Sequence, residues 1–207
     1  MRWAIPVLVC ALPAAASLGC VSEKPLASIP ATGLDRKLST FAFIEEGKLV
    51  SFIVDTRSTR EREDSAYIPF EISVGNRGVK NITLTRESFT LVDEEGNRYP
   101  CIGPRDLLES YDYLDFDRRL EELSGILASR FAAFTRYPSM FSPVRDVSLA
   151  PFQSSLVRDS ISLPQFGYIV DYIYFPKPKT GVVGRRFEMF LEAPELVDPV
   201  FVKFVVK

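Results

Sequence analysis

Across residues 67–74 the chain alternates without interruption: Ile68, Phe70, Ile72 and Val74 fall on one side, Pro69, Glu71 and Ser73 on the other. A period of two belongs to an extended strand, whose successive side chains point to opposite faces. The segment therefore reads as a strand with one face in a core and the other in water. Pro69 has no N–H for a ladder and is expected at an edge or a bulge. The pattern recurs in residues 82–85 and 88–92, in 156–163, in Phe187, Met189 and Leu191 between glutamates, and in Val200, Val202, Phe204 and Val206 around Lys203. Residues 75–78 (Gly-Asn-Arg-Gly) and 176–181 read as turns with residues suited to positive φ. Asp93-Glu94-Glu95-Gly96-Asn97 reads as a hairpin loop, with 98–102 returning. Residues 168–175 are apolar or aromatic except for Asp171 and are expected in the middle of a sheet. Asp171 is expected on the less buried face of that strand, paired with an arginine or a backbone donor. On the order of nine short strands with turns between them predict a mainly β fold, an antiparallel β-sandwich.

One stretch departs from this period. Phe116, Leu120, Leu123, Leu127, Phe131 and Phe134 recur every three or four residues, which aligns them along one face of a helix. A shorter helix over 104–113 would place Leu107, Leu108 and Tyr111 inside. The sandwich is thus expected to carry an α-helical insertion at about 104–136. Its role is to cap an open end of the sandwich, to dock a partner, or to close over a cleft. Residues 136–152, with Pro138, Pro143 and Pro151, read as an irregular loop.

The first residues carry an address. Arg2 precedes an apolar run from Trp3 to Leu18 that is broken by Pro6 and Pro13 and ends in small residues. That is the layout of a secretory signal peptide, and the run is short for a membrane-spanning helix, which needs about 20 apolar residues. Ala16-Ser17-Leu18-Gly19-Cys20 resembles the lipobox of bacterial lipoproteins. The resemblance implies cleavage before Cys20, a diacylglyceryl group on its thiol and a further acyl chain of the palmitate class on the new amine. Two or three acyl chains hold a protein on a membrane almost permanently. The same resemblance implies a bacterial cell-envelope location, and Val21, where an aspartate would signal inner-membrane retention, points to the outer membrane if the source has one. Residues 1–19 are then a signal peptide, 20–40 a lipidated cysteine and flexible tether, and 41–207 the folded domain.

The segment Phe89-Thr90-Leu91-Val92-Asp93-Glu94-Glu95-Gly96-Asn97-Arg98-Tyr99, together with Tyr174-Phe175-Pro176, resembles a hairpin signature of exported bacterial proteins with immunoglobulin-like domains of unknown function. The resemblance implies an immunoglobulin-like type of sandwich and brings no catalytic residues with it.

Composition narrows the chemistry. The 207 residues hold 25 Lys+Arg against 27 Asp+Glu and no histidine. A net charge of −2 argues against nucleic acid as the main partner. Without histidine, Ser–His and Cys–His nucleophilic catalysis is excluded and the commonest zinc ligand is missing. No metal or cofactor is expected. Cys101, the single thiol left beside Cys20 after cleavage, reads as a buried small hydrophobe. Arg57, Arg60 and Arg62 alternate with Glu61, Glu63 and Asp64 and read as a merely soluble loop. The candidate partner surface comprises Tyr111 and Tyr113 in the insertion and Lys177, Lys179, Arg185 and Arg186 around the last loop. The leading expectation is a membrane-anchored, non-catalytic binding or assembly module with a protein partner in the envelope. The alternatives are a binder of a small or lipidic ligand between insertion and sheet, and a carboxylate-based hydrolase.

Overall fold

The computed structural model describes residues 37–120, 123–138, 141–143 and 157–207. The signal peptide, Cys20, most of the tether and much of the 136–152 loop lie outside the described residues.

The chain is mainly β. Strands β1 (Ala42–Glu46), β2 (Val50–Asp55), β3 (Tyr67–Asn76), β9 (Gly167–Pro176) and the two-residue β7 (Thr135–Arg136) form a five-stranded sheet in the order β1-β2-β3-β9-β7. Strands β5 (Phe89–Asp93), β6 (Arg98–Pro100), β10 (Arg186–Leu191) and β11 (Val200–Val205) form a second sheet, ordered β11-β10-β5-β6. β4 (Asn81–Thr85) and β8 (Ser160–Pro164) make a separate pair. Among the described residues every strand pairing is antiparallel except the short contact of β7 with β9. Phe43, Phe52, Phe70 and Phe175 from the first sheet meet Phe89, Met189 and Phe204 from the second in one core, which Ile82, Leu84 and Leu163 of the β4–β8 pair extend. Hydrophobic burial on these inner faces is the main favourable contribution to folding.

The outer face of the five-stranded sheet is also covered. Helix α1 (Arg57–Glu61) closes the end of β2, and α2 (Pro104–Ser110), α3 (Leu114–Arg119) and α4 (Leu123–Arg130) contribute the residues that pack on the sheet. Leu123, Leu127 and Phe131 pack on Ala42, Ile44 and Ile53, while Leu107, Tyr111 and Leu114 pack on Tyr172 and Tyr174. The insertion thus lies across a sheet face and does not cap an open end. This corrects the expectation for β3, which is buried on both sides along nearly its whole length. Pro69 is not at an edge either: β3 lies between β2 and β9. Its missing N–H is tolerated because β2 has ended at Asp55, and the Pro69 carbonyl accepts instead from the Thr59 hydroxyl of α1.

The expected shorter helix is α2, and the expected long helix is two short ones, α3 and α4. α3 buries Leu114 and Asp117, three residues apart, and this turns Phe116 outward to 52% exposure. It ends where the Leu120 N–H bonds the Asp117 carbonyl, a tightened last turn. α4 then opens with the Leu123 N–H on the Glu71 carboxylate at 3.3 Å. In α2, Leu107 is buried as expected, but Leu108 is exposed. Gly75 supplies close approach in place of a positive φ: a Cβ there would lie 2.6 Å from the Phe131 ring. Among the described residues no helix is long and apolar enough to cross a membrane.

Candidate functional site

The outer face of the five-stranded sheet carries a polar row between its two apolar clusters. Asp55 stands opposite Glu71 in the β2–β3 register, and Glu71 opposite Tyr172 in the β3–β9 register. All three are buried. Ser58 of α1 donates to the Tyr172 hydroxyl at 3.3 Å. Burial pushes the Asp55 carboxyl up, against the lowering effect of the Arg57 N–H that donates to it and of the Arg57 charge. Desolvation penalises the charged form of any such acid.

Asp117 joins the row from above. Its Oδ1 accepts from Arg62 Nε at 2.9 Å, and its Oδ2 accepts from the Tyr111 hydroxyl at 2.6 Å and the Tyr174 hydroxyl at 3.5 Å. Burial pushes the Asp117 carboxyl up to about 6, and the Tyr111 hydrogen bond, the Arg62 charge and the Tyr174 hydroxyl only partly oppose this. The same burial, with the Asp117 charge, raises Tyr111 and Tyr174 far above the ordinary phenol range, so both remain donors.

Arg62 links this interior to the surface. Its guanidinium lies 4.4 Å from the Tyr113 ring centre and 4.8 Å from that of Phe116. Both distances are within cation–π range. Tyr113 and Phe116 are 48% and 52% exposed, and Leu108 is 44% exposed. The loop read as merely soluble therefore holds a buried arginine that organises the insertion. The signal available for it was weak, because three arginines among three acids look the same in a solvated turn.

A second polar centre lies along β9 beyond its short pairing with β7. Asp171 shares the strand parity of Ile169 and Ile173, both in the inner core, and is itself 2% exposed. It is thus not on a less buried face. Its partners are of the expected kinds: the Phe141 N–H at 2.7 Å, Arg118 at 3.3 Å and the Ser142 hydroxyl at 3.2 Å. Arg118 also donates to the Ser142 carbonyl at 2.8 Å, which ties residues 141–143 to the sheet.

The expected surface residues separate. Tyr111 is 2% exposed and belongs to the interior, a correction forced by its hydroxyl's bond to Asp117. Tyr113 is on the surface. Lys177 donates to the Glu63 carbonyl and so lies beside the Arg62 loop. Lys179 is exposed on the loop after β9. Arg185 pairs with Glu94 at 2.5 Å at the far hairpin, and Arg186 lines an open groove of about 370 Å³ there with Val92, Glu188 and Lys203.

The hairpin loop is organised by Asp93. Burial of its carboxyl is outweighed by hydrogen bonds from Asn97, Tyr99 and the backbone of Asn97 and Glu95, which hold it below its ordinary range. Gly96 there has φ +85°. Burial raises the Cys101 thiol far above its ordinary range, and its sulfur lies 3.8 Å from the Phe89 carbonyl. Among the described residues no group of three or more Cys, Asp or Glu side chains is placed to hold a metal ion. Between the insertion and the sheet, a cavity lined by Leu107, Phe141, Tyr172 and Tyr174 has a volume of about 10 Å³.

Comparison of the chain with protein families, with curated proteins and with solved structures finds no match.

Proposed function

We propose that the chain is a lipid-anchored protein of a bacterial cell envelope, held through Cys20 at the outer membrane where the source has one. Its domain, a sandwich of immunoglobulin-like type, serves as a non-catalytic binding or assembly module toward another envelope protein. Two sheets sharing one core support the sandwich assignment. The signal layout and the lipobox-like exit support the anchor.

One observation carries the binding reading over the hydrolytic one. The acids that cluster around Tyr172 are sealed: Asp55, Glu71 and Asp117 are 2%, 1% and 0% exposed beneath the insertion. A glycosidase-type mechanism needs two carboxyl groups that reach a substrate from either side. Ligand capture between insertion and sheet needs a cavity of ~300–1,000 Å³. The cavity that Leu107, Tyr172 and Tyr174 line among the described residues is about 10 Å³, room for a single water. The insertion's outward side, by contrast, presents rings fixed in place by Arg62.

The test is in-cell cross-linking followed by purification of the lipidated chain. The expected result is a diacylglyceryl mass on Cys20, loss of membrane association in Cys20→Ala, and a discrete protein adduct. A bare Cys20 thiol would overturn the anchor, and a chain that cross-links to no protein would overturn the module.

A further inference from the structure

The two main sheets have four edges, and three of them are closed. The chain before β1 folds back on it: Lys37 bridges Phe43, and the Leu38 and Ser39 N–H groups donate to the Ala42 carbonyl. β6 is three residues long and ends in Pro100. On β9, β7 pairs with the first two residues. Beyond them the Asp171 carboxylate accepts from the Tyr172 N–H at 2.8 Å, the Tyr174 carbonyl accepts from the Ile102 N–H at 2.8 Å, and Pro176 has no N–H. Blocks of this kind keep a sheet from pairing with other strands.

β11 carries no such block except one lysine. It runs Val-Phe-Val-Lys-Phe-Val, β-branched and aromatic residues without proline or glycine, a composition that favours strands. Val206 exchanges hydrogen bonds with Gly184 and Arg185 just before β10, and the β10–β11 register runs on unbroken from there. The even-numbered residues of β11 therefore bond to β10, and Phe201, Lys203 and Val205 turn their N–H and C=O groups to the free edge. Among the described residues no backbone group outside the ladder bonds to those three. Their side chains lie on the outer face of the second sheet, away from the buried Val202 and Phe204. There the Lys203 ammonium pairs with Glu188 of β10 at 2.7 Å and lies 5.5 Å from the Phe201 ring centre.

We propose that this edge pairs with the β11 of a second copy of the chain, antiparallel about a two-fold axis at Val202. A second β11 presents the same donors and acceptors at the same spacing. The axis then matches them pairwise: each Phe201 exchanges hydrogen bonds with the other copy's Lys203, about four bonds in all. Lys203 sets the register. An axis at Lys203 would oppose the two lysines, which is unfavourable, and one at Phe204 would set each lysine against a valine. The axis at Val202 lays each lysine between its own Glu188 and the other copy's Phe201 ring, the kind of contact it already makes within its strand. The pairing joins two four-stranded sheets edge to edge and stands apart from any contact with another envelope protein.

Two measurements test it. Differently tagged copies of the full-length chain are mixed in neutral detergent with micelles in excess, and retention of one tag on the other is followed against concentration. Saturable retention is expected. Lys203→Pro removes only an outward N–H and should weaken it at least about tenfold without lowering the circular-dichroism melt. Phe201→Lys sets like charges opposite one another across the axis and should weaken it as much, whereas Phe201→Glu sets opposite charges there and should stay within about threefold of the native chain. Both changes at Phe201 remove the same ring, so equal weakening by the two overturns the proposal even where the proline variant does not fold. A native chain with no retention up to about 100 μM overturns it as well. In envelopes, a copy with Phe201→Cys and a copy with Lys203→Cys should form a disulfide on mild oxidation, which requires their backbones to lie side by side. Lys203→Cys copies that join one another as readily overturn the register. Absence of adducts to other proteins would overturn the module reading and not this pairing.

Discussion

Substituting Asp117 by asparagine separates two effects that the structure opposes in one carboxyl. Burial at 0% exposure disfavours its charge, while Arg62, Tyr111 and Tyr174 favour it, and the balance leaves it titrating near 6 against 3.8 in the unfolded chain. The folded state therefore binds its proton more tightly, so the stability from this group is fully present below about pH 3.8 and is lost as pH rises through about 6. Each tenfold in proton affinity is worth about 1.4 kcal/mol, which makes the full loss about 3 kcal/mol between roughly pH 3 and 7, about 2 kcal/mol of it above pH 4.5. Asp55, raised mainly by burial, adds in the same direction. Asp93, Glu87 and Glu195 are held below their ordinary ranges and oppose it only at lower pH, where they take up protons. The assay is urea unfolding of the purified chain followed by far-ultraviolet circular dichroism at steps from pH 4.5 to 7.5. The native chain should lose stability toward neutral pH, and Asp117→Asn should flatten that slope by about 2 kcal/mol. The variant is expected to be less stable than the native chain at pH 4.5 by at most about 1–2 kcal/mol, since the asparagine oxygen still accepts from Arg62 and its amide N–H donates to the Tyr111 hydroxyl oxygen in place of the lost acceptor. An unchanged slope in Asp117→Asn would refute the argument that desolvation outweighs the three donors.

Three further outcomes follow from local geometry. Gly75→Ala places a methyl 2.6 Å from the Phe131 ring and should cost about 1–3 kcal/mol in thermal or urea unfolding, largely restored by combining it with Phe131→Leu. Asp171→Ala removes the acceptor shared by the Phe141 N–H, Ser142 and Arg118, and should cost about 2–4 kcal/mol, with limited proteolysis moving to residues 141–143. Cys101 should resist iodoacetamide at pH 8 in the folded chain and react once unfolded, because burial raises its thiol far above its ordinary range.

Strand existence was legible because alternation is a property of sequence alone: 67–74, 88–92 and 200–206 fall where β3, β5 and β11 stand. What covers a strand's second face was not legible, because that depends on a segment distant in the chain. Glu71 illustrates the point. In the alternation of β3 it marks the watered side, and any reading of residues 67–74 by themselves leaves it there. In the fold it is 1% exposed, opposite Asp55, and accepts the first N–H of α4. The helical stripe from Phe116 to Phe134 failed for the matching reason: periodicity assigns apolar residues inward, and it has no means of knowing that an aspartate will claim the buried place. Asp117 takes that place because Arg62, Tyr111 and Tyr174 converge there from three different elements. Once it does, the helix must break after Arg119 and Phe116 must face out. The exposure of the Tyr113–Phe116 patch is thus a consequence of burying one charge. A chain in which Asp117 were leucine and Arg62 methionine would satisfy the same sheet without holding either ring, and loss of the fall in urea stability from pH 4.5 to 7.5 that Asp117 contributes, in a doubly substituted chain still folded by circular dichroism, is the outcome this coupling requires.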